Sequence, residues 1–138
     1  MSTLKEIAAF LAASPQSLGV VGIDLIVGKL PNDPDACGAV YEYGGVPPDL
    51  GFGAPGIQFE TPAVQIVFRG APHDYAGPRA KAETAYRALA AVEVRLLSGT
   101  FYRWIHPQQA PFLLARDDAE RVVIACNFLL EKNLSVAV

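Results

Sequence analysis

The spacing of apolar positions changes several times along the chain, and each change marks an element. Leu4, Ile7, Ala8 and Leu11 recur at helical spacing near the start. Ser2 or Thr3 can cap this helix, and Glu6, three residues after Thr3, completes a capping-box arrangement. Pro15 stops it, because the residue before a proline avoids the helical region. VVGIDLIVG, residues 20–28, is rich in β-branched side chains and reads as a strand. Strict alternation puts Val21, Ile23, Leu25 and Val27 on its core face and turns Asp24 outward or toward a subunit boundary. LPNDPDACG is a turn cluster; AVYEYGG (39–45) and AVQIVFRG (63–70) are the second and third strands.

Between those two strands the pattern breaks down. Gly44 to Pro62 is crowded with glycine and proline, yet it carries Val46, Leu50, Phe52, Ile57 and Phe59. It predicts a long loop that cannot satisfy its backbone within a sheet, mobile in the free subunit and ordered on docking to a neighbour. Asp74 then caps a second helix, with Pro78 in its first turn and Ala82, Ala85, Tyr86 and Leu89 on its buried face. Glu83 and Arg87 make an i,i+4 pair on its surface. TFYRWIHP, PFLLARD and ERVVIACNFLLEK follow as strands, the last two joined by a polar turn at Asp117–Glu120. The order is helix, three strands, helix, about three strands. It predicts an α+β fold, a mostly antiparallel sheet with two helices packed on one face, in a single domain over residues 1–138.

Composition narrows the function classes. A chain of 138 residues suits one domain and can bury roughly two thirds of the surface its unfolded form exposes. Its charged fraction, 18%, falls below the usual ~25%. A surface short of charge is consistent with cover by other subunits. The net charge of -3 and scattered basic residues argue against a nucleic-acid binder. No apolar run approaches the ~20 residues that span a bilayer, and the start reads as an amphipathic helix rather than a signal peptide. Two cysteines, Cys37 and Cys126, are too few for a disulfide framework and are expected to be thiols, Cys126 as a small buried hydrophobe.

Candidate chemistry is sparse. His73 beside Asp74 could be a base with its orienting acid, but no nucleophile is marked nearby, and an N-cap beside an exposed histidine explains the pair. His106 precedes a proline near a turn and fits a surface or contact side chain; Trp104 shares its strand face and can stack there. Asp117, Asp118 and Glu120 lack the spacing and central glycine of a calcium loop. The glycines of GGVPPDLGFGAPG lack the lysine of a phosphate loop, and prolines remove the N–H groups it needs. With no CxxC and only two histidines far apart, zinc is not expected either. No catalytic residue, metal or cofactor is expected.

The order of segments resembles the phage tail terminator family, whose members are often described as minor capsid or head–tail joining proteins. The resemblance rests on an N-terminal helix before VVGIDLIVGKLP, the strand AVYEYGG running into a Pro/Gly loop, and the run VQIVFRGAPHDYAGPRAKAETAYRAL. There a strand ending in Arg-Gly leads through an Asp-Tyr start into an Ala-rich helix. SGTFYRWIHPQQAPFLLARDDAERVVIACNFLL completes a match over essentially the whole chain. It implies a subunit of a ring, commonly a hexamer, that caps the tail tube, stops its polymerisation and offers a surface to the head completion or connector protein. The ring would sit in the virion at the head–tail junction after assembly in the host cytoplasm, with DNA only passing through and no membrane involved. Asp24, Leu50, Phe52, Ile57, Phe59, Trp104 and His106 are the expected contact residues. Two other classes compete: a small hydrolase using His73 or His106, which needs a pocket with a perturbed titratable group, and a small ligand-binding or regulatory α+β domain, which needs one concave apolar cavity.

Overall fold

The computed structural model describes residues 2–50 and 57–133. Its elements are α1 (Thr3–Ala12), β1 (Leu25–Val27), β2 (Cys37–Leu50), β3 (Ile57–Pro72), α2 (Ala76–Ala90), β4 (Glu93–Leu97), β5 (Thr100–Pro107), β6 (Phe112–Arg116) and β7 (Arg121–Asn133). The strands form one sheet in the order β1-β2-β3-β7-β5-β4, and β6 pairs with β7 as well. Only β1 and β2 run parallel; the other ladders are antiparallel.

The expected α+β architecture is therefore present, with both helices on one sheet face. Val40, Val64, Ile66, Phe68, Ile105, Ile124, Phe128 and Leu130 meet Ile7, Ala8 and Leu11 of α1 and Ala82, Ala85 and Leu89 of α2 in one buried cluster. The alternation Val64, Ile66, Phe68 on β3 and Ile124, Cys126, Phe128, Leu130 on β7 supplies the sheet side of that core. α2 packs on β3, β5 and β7, whereas α1 touches β1, β2 and also β4. One short helix thus contacts both the first and the last strand, so the sheet curls around it.

Several local expectations are corrected. Ser2 caps α1 through its Oγ, which accepts the Lys5 N–H at 3.3 Å. Glu6 does not reach back to close a capping box. It is buried, and its carboxylate accepts the hydroxyls of Thr100 and, at 2.8 Å, Tyr102. These bonds tie α1 to the start of β5, and leaving either hydroxyl unpaired in the core would cost about 1–3 kcal/mol. The strand expected over 20–28 shrinks to three residues. Leu25 is buried, but Val21 and Ile23 are exposed rather than core, because residues 22–24 form a turn. On α2, Glu83 pairs with Arg79 at 3.0 Å, not with Arg87, since Arg79 is already anchored to the Pro111 carbonyl at 2.7 Å. EVRLL, residues 93–97, was not expected as a strand and is β4.

The largest correction concerns residues 44–62. Residues 44–50 lie in β2 and 57–62 in β3, so the two strands extend as a hairpin and are not one loop. Val46 pairs with Thr61, Asp49 with Phe59 and Leu50 with Ile57, with register shifts between these pairs. The irregularities take up Pro47 and Pro48, which have no N–H to give a ladder. Gly45 packs so closely on β3 that a Cβ there would overlap the Thr61 carbonyl oxygen, whereas one on Gly44 would meet nothing within 4 Å. Phe52 lies outside the described residues.

On the sheet face away from the helices, two buried arginines close one end. Arg69 donates to the carbonyls of Asn32, Pro34 and Asp35 at 3.2, 2.7 and 3.0 Å. Arg121 donates to the Asn32 carbonyl at 2.8 Å and pairs with Asp117 and Asp35 at 2.7 and 3.1 Å. They clamp the segment before β2 over Ala39, Val67, Val123 and Ala125, a small second cluster that Leu30 and Phe112 help to cover. Asp117 also accepts the backbone N–H groups of Ala119 and Arg121, at 3.0 and 2.9 Å, which builds the polar turn expected there.

Two outcomes follow. Gly45→Ala should destabilise the chain by about 1–3 kcal/mol in denaturant unfolding, while Gly44→Ala stays near wild type; equal effects would contradict the close approach. The hydrogen bonds from the Arg121 backbone N–H and guanidinium hold the Asp117 carboxyl below its usual range. A lowered folded pKa contributes stability above the unfolded value, about 3.9, and loses it as pH falls through the folded value. Stability should therefore drop as pH falls below about 3.9, and Asp117→Asn should make that acid limb shallower in pH-dependent unfolding.

Candidate functional site

Beyond the clamp, the same sheet face is uncovered, and its composition changes from aliphatic to aromatic and amide. Gln65 of β3 and Asn127 of β7 stand opposite each other, and Gln65 Nε2 donates to Asn127 Oδ1 at 2.9 Å. One strand over, the Tyr43 hydroxyl donates to Gln108 Oε1 at 2.6 Å. Tyr41, Glu42, Tyr43, Gln65 and Asn127 line a depression of about 490 Å³. These side-chain bonds fix rotamers on an open surface, which lowers the ordering cost of any contact made there.

β5 supplies the other half. Trp104 pairs across to Glu131 and His106 to Leu129, so both share the face of Asn127. Their rings stack with centroids 4.2 Å apart and planes 10° from parallel. The register irregularity between Tyr102 and Trp104 releases Arg103, whose guanidinium lies 4.8 Å from the centre of the Phe59 ring and bonds Glu131 at 2.7 Å. At the sheet edge Leu96 of β4 pairs with Phe101 of β5.

Of the expected contact residues, this face gathers Phe59, Trp104 and His106. Leu50 and Ile57 face each other where the described part of the hairpin ends. Asp24 is elsewhere. It is half-buried in the turn before β1, where its Oδ1 accepts the Val20 N–H at 2.6 Å. His73 is exposed, and the neighbouring Asp74, one residue before the N-cap position Tyr75, accepts the Gly77 N–H of the first turn at 3.0 Å. Tyr41, Tyr43, Gln65, Arg103 and Asn127 were missed, although the alternation of tyrosines in AVYEYGG and the lone glutamine within AVQIVFRG were available signals.

Burial pushes up the thiols of Cys37 and Cys126, the latter to about 12, which keeps them protonated at neutral pH. Both are buried away from the open surface. Among the described residues no three His, Cys, Asp or Glu side chains cluster as metal ligands. Every buried side-chain nitrogen or oxygen among them has a hydrogen-bond partner. Among the described residues no helix is long and apolar enough to cross a membrane. What the face offers is a half-buried tryptophan, tyrosines and an arginine beside aliphatic neighbours, the residue types that dominate protein–protein contacts.

The sequence matches the bacteriophage tail terminator protein family over residues 14–134, most of the chain. The protein belongs to that family. A search of curated proteins found no match. As a tail terminator it is a structural component of the phage tail and of the virion, and its function lies in contacts with other phage tail or head proteins. The matched span begins just after α1 and includes the whole open face.

Trp104 is the single tryptophan of this terminator, so its emission reports on the face directly. His106→Ala should remove the stacked ring, shift the emission to longer wavelength and increase quenching by iodide. An unchanged spectrum and quenching constant would mean that the stack does not persist in solution.

Proposed function

We propose that this tail terminator forms a closed ring, hexameric in its finished state, that caps the tail tube, ends tube polymerisation and presents a surface to the head connector. The ring sits at the head–tail junction after assembly in the host cytoplasm, lets DNA pass through its centre, and acts without catalysis. The observation that carries this reading is the uncovered aromatic face of β2, β3, β7 and β5, held rigid by side-chain hydrogen bonds next to the extended β2–β3 hairpin. A face of this kind gains by being covered; burying one large apolar side chain contributes roughly 1.5–3 kcal/mol. We assign Phe59, Trp104 and His106 to the contact with the tail tube, together with Leu50 and Ile57 of the hairpin strands and with Phe52, which lies between them in sequence.

Light scattering and negative-stain imaging of the chain, alone and mixed with its tail tube protein, test the ring. A particle of several subunits is expected at least when the tube is present, since some ring contacts form only on a template. A single subunit in both samples would refute the ring. Within that assay, Phe59→Ser with Trp104→Ala should reduce tube capping at least tenfold while the ring of the variant survives. Unaltered capping would remove these residues from the tube contact.

A further inference from the structure

The four most exposed large apolar side chains among the described residues are Val94, Ile23, Leu96 and Val20, at 72, 66, 65 and 56%. They fall in only two places. Val20 and Ile23, with Val21, form the turn that enters β1, the first strand of the sheet; Val94 and Leu96 lie on β4, the last. α1 packs against both of these strands.

Neither patch is loose chain. The turn is closed by the Asp24 carboxylate, which accepts the Val20 N–H at 2.6 Å, and by the bond from Gly22 N–H to the Leu25 carbonyl at 3.0 Å. Gly22 takes a φ of +90°, so the tight turn displays its aliphatic side chains around a glycine. On β4, Val94 is held at a φ of +47°, a conformation that is an outlier for a β-branched residue. That strain brings Val94 no burial within its own subunit, where it stays in water. Arg95, between the two aliphatics, lies on the helix side with its guanidinium 5.2 Å from the centre of the Phe10 ring, which leaves Leu96 with Phe101 on the open side. Val94 falls opposite Arg103, between the Glu93–Trp104 and Arg95–Tyr102 pairs, so the same irregularity of β5 that releases Arg103 turns this aliphatic side chain out to solvent.

We infer that the turn Val20–Asp24 of one copy docks on the β4 patch, Val94 and Leu96, of a second copy. The occupant is another copy of this chain because one chain carries two rigid, unmatched aliphatic surfaces at the two ends of one sheet. Two different patches joined head to tail make a heterologous contact, the kind that closes a ring by rotation. A stable contact buries about 800 Å² per partner; these aliphatics form its centre and the polar residues of the adjoining strands its rim. Asp24 is thereby a positioning residue that holds the turn in its docking shape. The inference rests on the proposed ring and names the surfaces that join its subunits.

Disulfide trapping of the full chain assembled with its tail tube protein tests it, after the wild-type particle mass has been measured. Ile23→Cys combined with Leu96→Cys should give, on mild oxidation, a covalent ladder of two or more subunits, because the native thiols are buried and stay out of the reaction. Neither single variant should give a ladder. Charge variants keep the test open should the cysteines disturb folding. Ile23→Asp and Leu96→Lys should each lower the assembled fraction at least tenfold, and the double variant should restore it. If the wild-type particle contains several subunits but the double cysteine variant yields no ladder and the charge variants assemble normally, this contact is wrong while the ring stands. If the wild-type chain stays single even on the tube, both the ring and this contact fall.

Discussion

The pairing of β7 with its neighbours is the interaction on which the rest of the molecule depends. β7 is buried along nearly its whole length and is hydrogen-bonded on both sides. β3 runs along one edge, from Phe59 opposite Asn133 to Pro72 opposite Arg121. The other edge is shared in line by β6, over Phe112 to Arg116, and β5, over Tyr102 to Pro107. Because side chains alternate, this one register decides both faces at once. Val64, Phe68, Ile124 and Phe128 go to the helices, and Gln65 and Asn127 go to the open face. A slip of one residue would invert every one of these assignments, so the core and the candidate interface are specified by the same ladder.

Polar groups finish what the ladder begins. At one end of the sheet the Arg69 guanidinium donates to backbone carbonyls of the segment before β2, and the Arg121 guanidinium donates to the Asn32 carbonyl and to the side chains of Asn32, Asp35 and Asp117, so that this segment covers the small aliphatic cluster there. At the other end Glu6 ties α1 to β5 through two hydroxyls. Each anchor joins parts far apart in sequence, and each is satisfied where a lone buried charge would be costly. The uncovered region between them is therefore bounded by fixed structure.

The described surface of this tail terminator displays several apolar side chains. Local devices fix some of these exposed side chains: the Asp24 staple, the positive φ of Val94, the Trp104–His106 stack. Edge strands β1, β4 and β6 each leave aliphatics near their free sides, where soluble monomers commonly place charge or cover.

Much of this was legible without coordinates. Periodicity located both helices and the strands β2, β3, β5, β6 and β7, because those segments are long and their apolar positions repeat at 3.6 or 2 residues. The order of segments was enough for the family, and the shared strand face of Trp104 and His106 followed from their spacing of two. Short or disguised elements were not legible. β4 hides behind alternating charges, with Val94 and Leu96 turned to solvent. The first half of the strand expected over residues 20–28 gives way to a turn at 22–24, since the Asp24 side chain outcompetes β-propensity for the Val20 N–H. The hairpin through residues 44–50 and 57–62 was misread as loop, because Gly45 and the prolines suit a ladder only where register shifts and close contact with Thr61 accommodate them. Local pattern thus determined which segments fold and what kind of element most of them become. Which face stays open, where Glu6 is buried, and which aliphatics are left in water were decided only by long-range pairing, because they depend on the residue that arrives opposite, often sixty or more positions away.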